Sequence, residues 1–189
     1  MLAVSPSSVL AEGSQHAAHQ HGLATLNIVQ NGTIVRAELT AAGADIVGFE
    51  HQATSEASKK KVSDALELLQ QSANAIVWPI EFNCSTKESK TDLVSQEPDD
   101  HEEKDGHTNE DHHDDHGDQH EEEREHSEFV ALYEWECRSF DLSGDVQLPV
   151  FNAFGTLTAL TVNFVGDTVQ GQQKVGRNIP RFQLGRLRP

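Results

Sequence analysis

The sequence predicts an α+β fold: a mostly antiparallel sheet, helices packed on one face, and one long His/Asp/Glu-rich insertion. Three observations predict it. Apolar residues alternate with polar ones on either side of Asn31-Gly32 and again over Phe129–Cys137, as half-buried strands require. Between them, apolar positions Val62, Ala65, Leu66, Leu69, Ala73 and Ile76 recur at helical spacing. The composition then changes abruptly over 85–127, where Ser, Asp, Glu, Lys and His leave almost no apolar side chain after Val94. Strands followed by a helical element, twice over, place the chain in the α+β class.

In chain order, residues 1–15 end in a small-residue pattern, Val9 and Ala11, which fits the tail of a secretory signal peptide or a flexible N-terminus. Residues 16–189 are expected to form one domain, interrupted by the insertion at 85–127. Leu26 and Ile28 before Asn31-Gly32, and Val35, Ala37 and Leu39 after it, predict a hairpin over 23–40. Thr54 or Ser55 is a candidate N-cap for the helix that follows. Trp78–Cys84 reads as a short strand with Pro79 at its start or edge. The insertion cannot bury enough apolar surface to offset its ordering entropy, so it is expected to be disordered without a ligand. After the strand 129–137, residues 148–154 predict a helical turn, 157–165 a strand, Gly166-Asp167 a turn, and 169–175 a final ribbon.

The formal charge of −17 belongs to the insertion rather than the folded body. From Glu97 to Glu125 there are 15 acids against Lys104 and Arg124 only, which accounts for −13. The 14 Lys and Arg are unclustered, so no nucleic-acid partner is expected. No apolar run is long enough to span a membrane, and no membrane insertion is expected. Cys84 and Cys137, each closing an apolar run, are expected to pair as a disulfide in an exported protein. Closing a loop of 52 residues restricts the unfolded chain by roughly 4 kcal/mol at most.

Histidine carries the chemistry. Seven of the 11 histidines fall between His101 and His126: His101, His107, His112, His113, His116, His120 and His126. Imidazole is the commonest side-chain ligand for zinc, and interleaved carboxylates concentrate cations and complete or orient a site. His112 with His116, and His116 with His120, share a face if one helical turn forms. An acidic tract with no metal role has no need of seven histidines. A flexible tract binds several ions weakly, because each event must order the chain; a tight site needs ligands on fixed elements. The candidates beside ordered elements are His16, His19, His21, Glu50, His51 and His126. The expected cofactor is Zn²⁺, with several ions possible. Met1 is the only methionine, which leaves Cu(I) without soft ligands, while Ni(II), Co(II) and Cu(II) remain alternatives to zinc. There is no H-E-x-x-H helix, activated nucleophile or phosphate loop, so no catalytic residues are expected and the chain is not expected to be an enzyme. A metalloenzyme and a metal-independent acidic structural protein are the weaker readings.

Several segments together resemble the ZrgA-like family of zinc-regulated periplasmic zinc-binding proteins. They are His19-Gln20-His21-Gly22, Ile46-Val47-Gly48-Phe49-Glu50-His51, the cysteine closing the segment after the helix, the His/Asp/Glu insertion, and His126 followed by Tyr133-Glu134-Trp135-Glu136-Cys137. The resemblance implies export to the periplasm, zinc binding at a structured site beside a His-rich loop, and support of zinc uptake through an ABC transporter or its binding protein. Glu134 and Glu136 stand where the family's pattern carries further histidines, a departure from it.

Overall fold

The computed structural model describes residues 21–96 and 126–187. Leu23–Asn31 (β1) and Ile34–Ala42 (β2) form the expected hairpin. Its two-residue loop is Gly32-Thr33, one position later than Asn31-Gly32, since Asn31 pairs with Ile34. Gly32 takes φ 57° and Thr33 does not follow it into positive φ, the arrangement that turns a twisted hairpin with glycine first. A four-residue helix, Gly43–Ile46 (α1), follows, and then Glu56–Gln70 (α2). The Ser55 side chain caps α2 by accepting from Ser58 N–H at 3.0 Å, as the sequence suggested.

Trp78–Cys84 is not a strand. Pro79 opens a 3₁₀ turn, Ile80–Phe82, that buries Phe82, and Asn83 takes φ 48°, so the chain reverses there instead of extending. The expected insertion also begins too early. Cys84–Gln96 (β3) and His126–Cys137 (β4) are long antiparallel partners, which narrows the interruption of the sheet to 97–125. In β3, Glu88, Lys90 and Asp92 project to the solvent face while Ser89, Thr91 and Leu93 face inward. Such a charged edge strand resists pairing with other molecules, and its composition alone reads as loop.

The second half adds Asp145–Gln147 (β5), Val150–Ala153 (α3), Ala159–Val165 (β6), Gln170–Gly176 (β7) and Arg181–Gln183 (β8). The main sheet runs β3-β4-β2-β1-β6-β7, antiparallel except for the parallel β1–β6 pair, and β5 pairs with β8 in a small second sheet. The fold is therefore mostly β, with a mixed sheet and less helix than expected. One face of the sheet carries the core: Leu26, Ile28, Val35, Leu39, Phe129, Trp135, Leu160 and Phe164 are all buried. α2 lies on that face, burying Ala65 and Leu69, with the Tyr133 hydroxyl donating to Leu69 O at 2.8 Å. Cys84 and Cys137 form the expected disulfide, S–S 2.05 Å. It does not clamp the base of the insertion. Cys84 pairs with Cys137 at one end of the β3–β4 ribbon and Gln96 with His126 at the other, about 40 Å away at 3.3 Å per residue.

Candidate metal centre

The end of the sheet opposite the disulfide gathers three segments that are distant in sequence. His21 enters β1, His126 opens β4, and Phe49-Glu50-His51 crosses between them after α1. The β3–β4 register makes Gln96 and His126 cross-strand neighbours, so both ends of the 97–125 stretch attach at this place.

Glu50 is the hub. Its side chain is 17% exposed, against 43% for His126 and 72% for His21. His126 Nδ1 lies 2.8 Å from Glu50 Oε2, a hydrogen bond, and His21 Nδ1 lies 3.8 Å from Oε1, within ion-pair range but too long for a hydrogen bond. A carboxylate accepts, so His126 Nδ1 carries the proton and the lone pair falls on Nε2. This is the arrangement by which a carboxylate orients a metal-binding imidazole. Among the described residues no hydrogen-bond donor reaches the buried Glu50 Oε1. A buried carboxylate oxygen without a donor is costly, and a cation between it and His21 would satisfy it.

His51 follows a different course. Its ring stacks on Phe49, centroids 4.8 Å apart, and its Nδ1 donates to Gln52 O at 2.9 Å. A backbone carbonyl only accepts, so here too the lone pair sits on Nε2. The ring is exposed and stands apart from the Glu50 pair of contacts. Of the residues singled out from sequence, the structure brings together His21, Glu50 and His126. His16, His19, His101, His107, His112, His113, His116 and His120 lie outside the described residues, as does the Val9–Ala11 signal pattern. Among the described residues no three His, Cys, Asp or Glu side chains already form a metal-binding group. Glu134 and Glu136 are engaged with Arg36 at 2.7 Å and Lys87 at 2.6 Å. Lys87 holds the Glu136 carboxyl below its usual range, through the hydrogen bond first and the charge second.

Sequence reasoning missed Asp45. It is buried, and its Oδ1 accepts the Gly22 N–H at 2.6 Å. The signal was present: Asp45 is the lone acid in Ala41-Ala42-Gly43-Ala44-Asp45-Ile46-Val47-Gly48, a setting in which a carboxylate is retained for a specific partner. Gly22, at φ 80°, is held on its other side as well, its carbonyl accepting from Thr158 N, Ala159 N and Thr158 Oγ1 at 2.9, 2.9 and 2.7 Å.

A family model described as ZrgA family zinc uptake protein matches residues 18–184, which takes in every element above. No curated protein matches the chain.

Proposed function

The chain belongs to the ZrgA family of zinc uptake proteins, and from that premise we propose that it captures zinc in the periplasm and passes it to a zinc ABC transporter or that transporter's binding protein. It acts as a binding protein and not as an enzyme. One observation carries the reading: the stretch richest in histidine is attached, through Gln96 and His126, to the place where Glu50 meets both His21 and His126.

Zinc is cargo in this scheme. Glu50, His21 and His126 supply two imidazoles and a carboxylate on fixed backbone, a donor set that suits zinc, and His19 follows from the sequence as a further ligand two residues before His21. The residues from His101 to His120 collect ions from dilute solution and raise their concentration next to that set. Ligands beside strands need little ordering on binding, so the fixed set holds one ion tightly while the tract holds several weakly. Hand-over to a transporter requires the tight ion to leave again, which a partly exposed site permits.

Metal analysis of protein purified from the exported compartment, intact and with residues 97–125 replaced by a short Gly-rich turn that preserves the Gln96–His126 pairing, tests this. The intact chain is expected to carry several zinc ions, and the deletion to carry fewer while retaining one high-affinity event in calorimetry. His126→Ala is expected to remove that event and spare the weak ones. Loss of all tight binding in the deletion would show that the tract itself is the site. Nickel, cobalt or copper in place of zinc would point to a general divalent-metal buffer.

A further inference from the structure

We propose that the single turn of α1, through Gly43 and Asp45, is the bracket that sets the spacing of the three ligand-bearing segments, touching each at the residue next to its ligand. Asp45 Oδ1 takes the N–H of Gly22, the neighbour of His21. Gly43 sits between Phe49, the neighbour of Glu50, and Ser127, the neighbour of His126. A Cβ placed on Gly43 would lie 2.6 Å from Phe49 O and 2.3 Å from Ser127 Oγ. Ser127 Oγ can turn aside, but the Phe49 carbonyl is backbone and the Ser127 carbonyl stands at 3.2 Å, so a side chain at residue 43 would push the Glu50 segment away from β4.

The two contacts do different work. Asp45 is tied on both sides, since Thr156 Oγ1 also donates to its carbonyl. With Gly22 held by Asp45 in front and by Thr158 and Ala159 behind, the His21 imidazole is an exposed side chain next to a backbone residue hydrogen-bonded on both sides. Gly43 acts by absence of bulk: it fixes how near Glu50 can approach His126, which here is a 2.8 Å hydrogen bond. Neither residue touches the cargo, so both are positioning residues. Displacing a ligand or its orienting partner by an ångström is enough to weaken a metal site, and partners of this kind typically contribute 10–100-fold in affinity.

The inference rests on the zinc-site reading above, and the experiment separates the two. In the full chain with the six histidines from His101 to His120 replaced by Ser, zinc calorimetry is run on the otherwise unmutated site, Asp45→Ala, Asp45→Asn, Gly43→Ala and His21→Ala, with Gly22 amide hydrogen exchange measured in the metal-free state. Asp45→Ala is expected to weaken the tight event roughly 10-fold or more and to accelerate Gly22 exchange. Asp45→Asn keeps an acceptor oxygen and is expected to restore both. Asp45→Ala added to His21→Ala is expected to cost little more than His21→Ala alone, because both act through one ligand. A merely structural role would lower stability without that non-additivity. Gly43→Ala is expected to weaken zinc in a His21→Ala background as well, since it acts on the other pair, and it decides the matter alone if Asp45→Ala does not fold. Unchanged affinity in both Asp45→Ala and Gly43→Ala, beside tight binding by the unmutated site, overturns the bracket. Absence of tight binding in the unmutated site overturns the zinc-site reading and the bracket with it.

Discussion

The two ends of the β3–β4 ribbon are built on opposite rules. At the closed end, Cys84 is bonded to Cys137, Cys137 N–H donates to Thr33 O at 2.8 Å, and Arg138 N–H to Phe82 O at 3.0 Å. The neighbouring rings interlock: Trp78 with Trp135 at 5.5 Å, Phe82 with Phe140 at 4.9 Å. At the open end the groups are polar and their needs are only partly met: among the described residues, Asp45 Oδ2 and Glu50 Oε1 are buried there without a donor, whereas the closed end leaves only the neutral Trp78 Nε1 without a partner. Apolar burial and a cross-link stabilise whatever the solvent holds, whereas a buried carboxylate oxygen without a partner destabilises until a cation arrives. One end keeps the sheet folded, and that lets the other hold unmet polar groups, the pattern expected where a fold carries a function.

The largest effect that would break this comparison is loss of the cross-link. Replacing Cys84 and Cys137 with Ser is expected to lower stability by roughly 2–5 kcal/mol in denaturant titration. Zinc affinity of the folded protein is expected to stay within about 2-fold, since the bond lies at the opposite end of the ribbon from His126. A parallel loss of zinc affinity would mean that the two ends are coupled through the ribbon.

A smaller effect sharpens the open end. In the full chain with the histidines from His101 to His120 replaced by Ser, Glu50→Gln is expected to weaken zinc roughly 10-fold or more while leaving stability without metal equal or higher, because the unmet carboxylate charge is removed. Each bound imidazole must shed its proton, so affinity of the unmutated site is expected to fall between about pH 7.5 and pH 5, the range in which histidine titrates. Competition titrations at both pH values read this. Affinity that does not change with pH would place the ion on carboxylates alone.

The closed end was far more legible from sequence than the open one. Alternation over Phe129–Cys137, the Leu26/Ile28 and Val35/Leu39 stripes and the paired cysteines report burial directly, since apolar side chains have one destination. β3 was not legible: Glu88, Lys90 and Asp92 occupy an exposed edge face, so the strand is held by pairing with β4 and not by its own pattern. The same holds for the small β5–β8 sheet, three residues a side. At the site, His21, Glu50 and His126 were legible as residue types beside element ends, but their meeting depends on β1 lying next to β2 and β2 next to β4. Gly43 was hidden for a plainer reason: a glycine needed for closeness has no periodicity to betray it, whereas Asp45, the lone acid of an apolar segment, could have been found.

The smallest effect concerns Tyr133, which stands on β4 between the two ends and is the chain's only tyrosine. Burial pushes its phenol well above the usual value for tyrosine. Its hydroxyl donates to Leu69 O, tying α2 to the sheet, so Tyr133→Phe is expected to cost about 1 kcal/mol near neutral pH. The raised value means the folded state holds this proton more tightly than the unfolded chain does. The associated stability is therefore fully present below about pH 10 and is lost as pH rises above it. Absorbance of tyrosinate reads this one group without ambiguity, and Tyr133→Phe is expected to flatten the alkaline limb of the stability curve. The residue also tells which end governs the middle of the ribbon. If the closed end does, the cysteine-to-serine protein, opening more readily, should ionise Tyr133 at lower pH, while His126→Ala leaves the titration where it was. If His126→Ala moves it and loss of the disulfide does not, the open end is the one that holds the sheet together, and the division of labour between the two ends is the reverse of the one drawn from their packing.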